Sequence, residues 1–409
     1  MNMDCRYCGN KNIFRFLDLG TMALANSFLT TEQLKSGKDE PVFPLDVHFC
    51  ERCGLVQIGY AVPPPILFKN YIYYSATSDL VHAHATYLAN TFSSRFQLTR
   101  DSLVLEIASN DGTVLRHFKN TGVRILGVEP ATNIAQAAEA AGIPTFNDFF
   151  NEDTARLIQE RHGSANVILG RHVFAHVPEI HGFVKGMQAL LHPNGVIAIE
   201  APYLIDFIER TEFDTVYHEH YSYLSVRAMS HLFSLYGMEL FDVERVAIHG
   251  GSLIYFIGHT GVHPVSERVF TLRDAEIAKG LSDKITYSAF AERTAKLRSD
   301  LLGLLRDLKA SGKRIAAYGA PAKGNTLLNY CGITTDLVEY TVDKSPYKQN
   351  LYTPGAHLPV YHPDRLTQDM PDYVLLLAWN FADEILEQQK AYRDKGGKFI
   401  IPIPAVTIV

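Results

Sequence analysis

The 409-residue sequence lacks the features that direct a chain into a membrane, through a secretory route or onto nucleic acid. No apolar run approaches the roughly 20 residues of a membrane-spanning helix, and the first residues do not form a secretory signal. Lys and Arg form no cluster, and the formal net charge is −6, which argues against nucleic acid and anionic membranes as partners. We therefore expect a cytoplasmic protein that is a monomer.

Cysteine is scarce, with five residues in the chain, yet four of them form two C-x2-C pairs. Cys5 and Cys8 make the first pair, Cys50 and Cys53 make the second, and a glycine follows each pair. Disulfides or free thiols are the alternatives, but no secretion signal favours an oxidising compartment. Two thiolates from each of two tight turns complete the tetrahedron that zinc prefers, so we predict one structural Zn²⁺ with no open position for substrate. Cys331 is left over and is predicted to be a small core residue.

The composition indicates a globular chain of two or three domains, because 47% of the residues are apolar and 20% are charged. The Pro-rich segment 60–65 cannot be helical and should lead out of the cysteine-containing module. A charged helical stretch at about 265–311 precedes a last α/β unit. These breaks predict an N-terminal zinc-binding module over 1–70, a central domain over 71–262 and a C-terminal domain over 263–409.

The central domain is organised around a strand, a turn and a helix at 103–115. The apolar run 103–107 predicts a buried parallel strand, and the small residues that follow predict a turn at a helix N-terminus, where α/β proteins bind nucleotide-like ligands. A second strand, 124–128, ends at Glu129, which is well placed to bind ribose hydroxyls. The three-glycine fingerprint of dinucleotide enzymes is absent, and the pattern is similar to the S-adenosylmethionine (AdoMet) loop of class I methyltransferases. An ordinary βαβ unit without a ligand is the alternative. We assign cofactor binding to Glu106, Ser109, Asn110, Asp111, Gly112, Glu129, Pro130, Asp148, Phe149 and His172.

Histidines concentrate beyond the later strands of this domain. His172 and His176 come just after a fourth strand, 166–169, and should face the same crevice as the turn. Lone histidines in such places are often structural, but two near a strand end favour a site. Tyr73 stands among tyrosines and serines that could line a sugar pocket, although tyrosines often only pack. His249, at a glycine-rich turn, could face the same cleft.

The densest chemical stretch is Tyr217, His218, Glu219 and His220. It offers a donor, an orienting carboxylate and a base in one place, and we expect Glu219 to raise the pKa of the histidines by favouring their charged form. Spacing alone does not choose between His218 and His220 as the base. A solvated polar loop is the alternative, which the aromatic neighbours disfavour. No third ligand is evident that would make the histidines a zinc site.

The C-terminal unit places a small-residue loop, 319–326, between a strand and a helix, with Lys323 inside it. Further strands are predicted at 337–342, ending at Asp343, and at 373–378. A loop of this kind at a helix N-terminus suits a phosphate or pyrophosphate, and its glycine pattern does not match NAD-binding loops. A structural sheet with an empty loop is the alternative. We assign substrate binding to Tyr318, Gly319, Ala320, Lys323, Asn325, Asp343, Trp379 and Asn380.

Almost the whole chain resembles the sugar 3-C-methyltransferases of deoxysugar biosynthesis, of the tetronitrose-pathway type. The matching motifs are Cys5-x-x-Cys8 with Cys50-x-x-Cys53, Leu17-Asp-Leu-Gly20, Leu24-Ala-Asn26, Glu106-Ile-x-x-Asn110-Asp-Gly112, Tyr217-x-Glu219-His220, His249-Gly-Gly251, Tyr318-Gly-Ala320, Lys348-Gln-Asn350 and Thr353-Pro-Gly355. The resemblance implies a zinc module, a class I AdoMet methyltransferase (Rossmann-like) domain and a C-terminal Rossmann-like domain that holds the nucleotide of an NDP-sugar, dTDP- or GDP-linked.

The resemblance also assigns roles to residues. It implies that His220 is the base, with Tyr217 and Glu219 beside it, and that Tyr73 and His176 belong to the same pocket. His172 stands where the family tends to have Asn, which places a larger, titratable group at the cofactor site.

The chemistry of carbon methylation fits these residues. A 4-keto group acidifies the C-3 proton of a sugar, so a base can remove it, a donor can stabilise the enolate, and the carbon can accept a methyl group. We assign His220 as base, Tyr217 as donor and Glu219 as the residue that orients the base. An NAD(P)-dependent nucleotide-sugar oxidoreductase and a non-catalytic nucleotide-sugar-binding protein are the alternative functions.

Overall fold

The computed structural model describes residues 4–37, 40–68, 79–246 and 251–409. Tyr73 and His249 lie outside the described residues. The chain forms sheets with helices packed on them, and the α/β class predicted from the sequence is confirmed. Within the described ranges, no helix combines the length and the apolar character needed to span a bilayer.

The elements follow one another in the order expected for alternating strands and helices over most of the chain. The strands are β1 (Phe14–Ala23), β2 (Val42–Phe49), β3 (Val56–Ile58), β4 (Leu103–Ile107), β5 (Arg124–Val128), β6 (Thr145–Phe146), β7 (Ala165–Arg171), β8 (Leu191–Pro202), β9 (Ser222–Tyr223), β10 (Met238–Val246), β11 (Ser252–His259), β12 (Ile315–Tyr318), β13 (Thr341–Val342), β14 (Val360–Tyr361), β15 (Tyr373–Leu376), β16 (Lys398–Ile401) and β17 (Thr407–Ile408). The helices are α1 (Thr31–Lys35), α2 (Pro64–Phe68), α3 (Asp79–Arg95), α4 (Thr113–Lys119), α5 (Thr132–Ala140), α6 (Glu152–His162), α7 (Ile180–Leu190), α8 (Leu204–Glu209), α9 (Val226–Ser234), α10 (Glu267–Ala278), α11 (Lys284–Ala310), α12 (Ala322–Cys331), α13 (Arg365–Asp369), α14 (Ala382–Gln388) and α15 (Lys390–Arg393).

The central sheet has the strand order β10-β11-β8-β7-β4-β5-β6. Strands β4 to β8 run parallel to one another, whereas β11 is antiparallel to both β8 and β10. Every residue of β4 is buried, because side chains cover both faces: Leu105 packs in the core on one face and Val104 in the core on the other. Since β5 lies on one side of β4 and β7 on the other, the chain reverses its strand order there, and a crevice opens at the carboxyl ends of β4 and β7.

The N-terminal sheet is antiparallel and has the order β1-β2-β3-β9. Its last strand comes from 222–223, far along the chain and immediately after the histidine-rich segment. Val56 pairs with Tyr223 and Gln57 with Ser222. The sheet therefore fixes the C-terminal end of the segment 217–220, which the sequence analysis predicts to contain catalytic residues.

The C-terminal sheet has the order β14-β13-β12-β15-β16-β17, parallel except for the last pair. The sequence predicts a strand over 337–342, whereas β13 covers only Thr341–Val342. The reason is a turn: the N–H groups of Leu337 and Val338 donate to the carbonyl of Thr334, so the chain becomes extended only after that point.

The long helix α11 packs the N-terminal sheet against the central domain. The ring of Tyr287 lies 4.3 Å from that of Phe49 on β2, and Phe290 stacks at 4.7 Å on Phe207 of α8. The prediction that 60–65 is not helical is wrong at its end, because α2 begins at Pro64 and the first turn of a helix tolerates proline. The division into 1–70, 71–262 and 263–409 stays a prediction. Strand β9 belongs to the first sheet although its residues fall in the range assigned to the central domain.

Candidate functional site

A cavity of about 520 Å³ lies at the crevice of the central sheet and reaches both other regions. Its wall combines the turns after β4, β5 and β7 with the segment 215–220 and with the start of α12. Of the residues predicted to bind cofactor or substrate or to act in catalysis, the structure brings these to the wall: Glu106, Ser109, Asn110, Glu129, Pro130, Phe149, His172, His176, Tyr217, Glu219, His220, Lys323 and Asn380. Three regions that are distant in sequence therefore share one chamber.

The turn after β4 depends on unusual backbone geometry. Ala108 and Asn110 adopt left-handed conformations, with φ of 53° and 51°, and Gly112 has φ of 73°. A Cβ at Gly112 would lie 2.8 Å from Ile143, so only glycine fits there. Asp111 does not line the cavity; its carboxylate accepts from the N–H and hydroxyl of Thr113 at the start of α4. These hydrogen bonds fix the turn to the start of α4, while the other side of the turn faces the cavity.

Glu129 connects the turn after β4 to the turn after β5. One carboxylate oxygen accepts from Asn110 N at 3.0 Å, and the other accepts from Ala131 N at 2.9 Å. Burial raises the pKa of Glu129, and these two N–H groups oppose the rise. Each oxygen keeps a further lone pair, so the carboxylate can still accept from a ligand.

Two buried polar atoms at this end of the cavity have no hydrogen-bond partner among the described residues. They are Oε2 of Glu106 and Oγ of Ser109. Burial raises the pKa of Glu106 to about 8, although the Arg171 guanidinium, 3.8 Å from its carboxylate, opposes the rise. Buried polar groups are nearly always satisfied. The orphaned atoms therefore fit a polar ligand such as the amino-acid part of AdoMet.

A buried ionic cluster next to the turn after β4 was not predicted from the sequence. Glu200, at the end of β8, pairs with His172 at 3.0 Å, with Arg171 at 3.5 Å and with His84 of α3. Burial alone would raise the pKa of Glu200, but the two histidines and Arg171 hold it well below its usual range. Glu106 was identified because it is an acidic residue at the end of a strand. Glu200 has a similar position on β8 and could have been identified in the same way.

His220 has both ring nitrogens engaged. Nδ1 lies 2.8 Å from the carbonyl of Thr215 and Nε2 lies 2.7 Å from the hydroxyl of Tyr217. A carbonyl only accepts, so Nδ1 carries the proton and Nε2 offers its lone pair. Burial lowers the pKa of His220 to about 4, so the ring is neutral near pH 7. The ring of His176 stands edge-on at 4.8 Å, and burial also lowers its pKa well below the usual value.

The expectation that Glu219 raises the pKa of its neighbouring histidines is wrong. The hydrogen-bond partner of its carboxylate is Asn26, at 2.7 Å. Burial raises the pKa of Glu219 itself to about 7, and the ring of His220 is oriented by Thr215 and Tyr217. Residues 217–220 form a turn in which the N–H of His220 donates to the carbonyl of Tyr217 at 2.9 Å, and the side chains of the turn point in different directions. Proximity in sequence therefore did not imply contact.

The two candidate bases are separated by the fold. His218 is buried outside the cavity wall, and its Nε2 lies 3.1 Å from the carbonyl of Phe43 on β2. His220, two residues later, lies on the wall. The geometry favours His220.

The residues predicted in the C-terminal domain divide into two groups. Lys323 and Asn380 line the cavity, together with Pro321, Ala322 and Phe381. The others do not line the cavity, and the side chains of three of them make hydrogen bonds within the protein. The contacts are Asp343 with the N–H of Ala320 at 2.7 Å, Asn325 with the carbonyl of Ala25 at 2.7 Å, and Trp379 with Asp214 at 2.6 Å. Asp148 likewise accepts from the N–H of Phe149 and does not line the cavity.

The four cysteines of the two C-x2-C pairs come together away from the cavity. Their sulfur atoms all lie within 4.8 Å of one another. Cys5 and Cys53 are 3.4 Å apart, and Cys8 and Cys50 are 3.6 Å apart. Zn–S bonds of 2.3 Å in a tetrahedron place sulfurs about 3.8 Å apart, so the cluster has the donors and nearly the size of a zinc site.

Comparison with known proteins agrees with this architecture. Three family models match consecutive parts of the chain: "Putative zinc binding domain" over residues 5–68, "Methyltransferase domain" over 81–243 and "C-methyltransferase C-terminal domain" over 247–404. C-methyltransferase NovU of Streptomyces niveus is 36% identical over 407 residues, which is 99% of this chain and 96% of that protein.

Solved structures overlap with part of the chain. A SAM-dependent methyltransferase from Anabaena variabilis is 15% identical, covering 48% of this chain and 90% of its own, with a TM-score of 0.37. Magnesium protoporphyrin IX methyltransferase from Synechocystis PCC 6803 is 9% identical over 48% of this chain and 92% of its own, with a TM-score of 0.36. The family models and the full-length relative confirm the class I AdoMet methyltransferase fold predicted from the motifs. The chain belongs to the C-methyltransferase family and is an AdoMet-dependent C-methyltransferase.

Proposed function

We propose that this C-methyltransferase methylates C-3 of an NDP-4-keto-6-deoxysugar and that His220 removes the C-3 proton. The observation that carries the proposal is the position of Nε2 of His220. This neutral, lone-pair-bearing atom is buried in the same cavity as the cofactor turn and the start of α12. Carbon methylation requires a base at such a place, because a carbon becomes a nucleophile only after it loses a proton.

The cofactor end of the cavity is formed by Glu106, Ser109 and Glu129. AdoMet supplies an electrophilic methyl group on a sulfonium. In our proposal Glu129 accepts from the ribose hydroxyls, and the orphaned atoms of Glu106 and Ser109 face the polar remainder of the cofactor. All three residues are buried, which strengthens each hydrogen bond that they make.

At the reaction centre, Nε2 of His220 accepts the C-3 proton while Nδ1 keeps its hydrogen bond to the carbonyl of Thr215. The Tyr217 hydroxyl, which donates to Nε2 in the structure, turns to the C-4 oxygen and stabilises the negative charge that develops there. The deprotonated C-3 carbon then faces the methyl group of AdoMet.

The C-terminal domain is proposed to hold the nucleotide end of the substrate, dTDP or GDP. Helix α12 begins at Ala322, so its first N–H groups lie at the cavity together with the ammonium of Lys323. Helix N-termini and lysines both attract phosphate oxygens. Binding energy gained there can hold the sugar against the base.

We further propose that Cys5, Cys8, Cys50 and Cys53 bind one structural Zn²⁺ per chain. The cluster supports this role, because four cysteines satisfy all positions of a tetrahedral ion. The N-terminal knuckle also touches the catalytic segment: Arg6, between Cys5 and Cys8, donates to the carbonyls of Ile58 and Tyr221.

Replacing Cys50 with Ser should abolish zinc binding and unfold the N-terminal module, since metal binding and folding of such modules are coupled. Metal analysis of protein purified without chelator should find one zinc in the wild type and none in the variant. Cys331→Ser is the matched control, because Cys331 is buried in the C-terminal domain and lies outside the cluster. Wild-type protein without zinc would overturn the assignment.

Glu129→Ala should weaken AdoMet binding by roughly 2–4 kcal/mol, because two charge-assisted hydrogen bonds are lost and water replaces them only in part. Isothermal titration calorimetry measures the change. Glu139→Ala, on the exposed face of α5, removes the same charge nearby and should leave the affinity unchanged. Equal affinities in Glu129→Ala and wild type would place the cofactor elsewhere.

His220→Asn should lower methylation by about 10²–10⁴-fold, the usual loss for a general base. In D2O without a methyl donor, the wild type should exchange the C-3 hydrogen of a 4-keto-6-deoxysugar nucleotide for deuterium, and the variant should not. His218→Asn is the control, since His218 contacts Phe43 outside the cavity. An active His220→Asn enzyme together with an inactive His218→Asn enzyme would identify the other histidine as the base.

The base should remain neutral well into the acid range. A base must be unprotonated, and burial lowers the pKa of His220 to about 4, so its neutral form is lost only as the pH falls through about 4. In protein with ¹⁵N-labelled histidines, the His220 nitrogens, identified by their loss in His220→Asn, should show neutral imidazole with a proton on Nδ1 at pH 6. An imidazolium signal at pH 6 would contradict this assignment.

Lys323→Ala should raise KM for the NDP-sugar and lower turnover, each by about 10-fold or more, because a charged hydrogen-bond donor to the substrate is lost. Steady-state kinetics with a dTDP-linked and a GDP-linked 4-keto-6-deoxysugar provide the measurement. Lys344→Ala, a largely exposed lysine of the same domain, should change neither constant. Unchanged constants in Lys323→Ala would remove this residue from the substrate site.

A further inference from the structure

The only tryptophan of the sequence, Trp379, lies where the C-terminal sheet meets the cavity. It begins a short turn, Trp379–Phe381, just after β15, and the neighbouring Ala378 and Asn380 line the cavity wall. Its indole Nε1 donates to Oδ2 of Asp214 at 2.6 Å. This hydrogen bond joins the C-terminal domain to the central domain.

Asp214 has an unusual environment for a carboxylate. The residue is 0% exposed, and its other oxygen, Oδ1, has no hydrogen-bond partner within the described part of the chain. Burial raises the pKa of Asp214 to about 6, and Lys323, whose ammonium lies 4.9 Å from the centre of the Trp379 ring, opposes the rise. Trp379 and the N–H groups of Asp214 and Thr215 also oppose the rise, but burying a carboxylate that is not fully satisfied is costly. Such a cost is found mainly where a residue serves function.

The residue after Asp214 holds the base. Asp214 is the middle residue of the turn Phe213–Thr215, and the carbonyl of Thr215 lies 2.8 Å from Nδ1 of His220. A displacement of this turn would break the hydrogen bond between Nδ1–H of His220 and the carbonyl of Thr215. The ring could then adopt the other tautomer or rotate. The contacts therefore form a continuous path from Trp379 through Asp214 and Thr215 to His220.

We propose that Asp214 and Trp379 are positioning residues for the base. They hold the Thr215 carbonyl so that the proton stays on Nδ1 of His220 and Nε2 remains free to accept. They also tie the domain that carries Lys323 to the reaction centre. This proposal rests on the proposed function, since it takes His220 as the base.

The direct test is the state of the His220 ring in the absence of substrate. Trp379→Phe keeps an aromatic ring but removes the N–H donor, and Asp214→Asn keeps the shape but removes the charge. In ¹⁵N-histidine-labelled protein, both variants should shift the His220 nitrogen signals away from the single Nδ1-protonated form. Tyr392→Phe is the matched control, because it removes a buried donor to the Pro371 carbonyl elsewhere in the same domain. It should leave the His220 signals unchanged.

The kinetic test separates positioning from stability. With a dTDP- or GDP-linked 4-keto-6-deoxysugar, both variants should lose about 10- to 100-fold in C-3 deuterium exchange and in kcat, the size expected for a slightly misplaced group, with the AdoMet affinity unchanged. Tyr392→Phe should keep wild-type rates at temperatures where it is folded. If Trp379→Phe does not fold, Asp214→Asn decides alone.

The outcomes distinguish the two proposals. Unchanged His220 nitrogen signals in Asp214→Asn would overturn the positioning role whatever the substrate is. A wild-type enzyme that exchanges no C-3 hydrogen with either nucleotide-sugar would overturn the proposed function, while the nitrogen signals still test the contact path. Shifted signals together with wild-type exchange rates would show that the path orients the ring without contributing to the reaction, and would also reject the positioning role.

Discussion

The pairing of β3 with β9 is the interaction on which the reaction centre depends. It attaches residues 222–223 to the N-terminal sheet, and the carbonyl of Tyr221 accepts from the N–H of Ile58 at 3.2 Å. The N–H of Tyr221 donates to the carbonyl of Ala175, which lies on the cavity wall after β7, at 2.7 Å. His220 is thus held between two sheets by the backbone of the residue that follows it. A hydrogen-bonded backbone is stiffer than a loop, and the proposed role of His220 as a base requires its position to be kept to within about half an ångström.

The same region explains why a cluster of four cysteines that lies outside the cavity belongs to this enzyme. Arg6, inside the first cysteine pair, reaches the carbonyls of Ile58 and Tyr221. The segment 24–29 of the same module contacts both other regions: Asn26 bonds to Glu219, and Leu29 exchanges backbone hydrogen bonds with Tyr352. The N-terminal module therefore connects the central domain to the C-terminal domain through hydrogen bonds.

Much of the backbone of the candidate cofactor site could be predicted because it depends on local pattern. Residues 103–107 are apolar apart from Glu106, and the small polar residues after them favour a turn, so strand, turn and helix appeared where expected. Glu129 was identified for the same reason, since it ends a parallel strand next to the first. The pairing of His172 with Glu200 was not predicted, because 28 residues separate them and only the order of β7 and β8 in the sheet brings them together.

The sequence by itself determined the α/β class, the two cysteine pairs, the strand ends that meet at the crevice and the motifs of the C-methyltransferase family. Tertiary structure alone decided which way each side chain of 217–220 points. Glu219 faces Asn26, His218 faces Phe43 and His220 faces Thr215 and Tyr217. It also decided protonation: burial, which a sequence does not reveal, lowers the pKa of His220 and raises that of Glu219. The physical reason is that local pattern specifies backbone form, whereas the partner and the solvation of a side chain depend on elements that are distant in the chain.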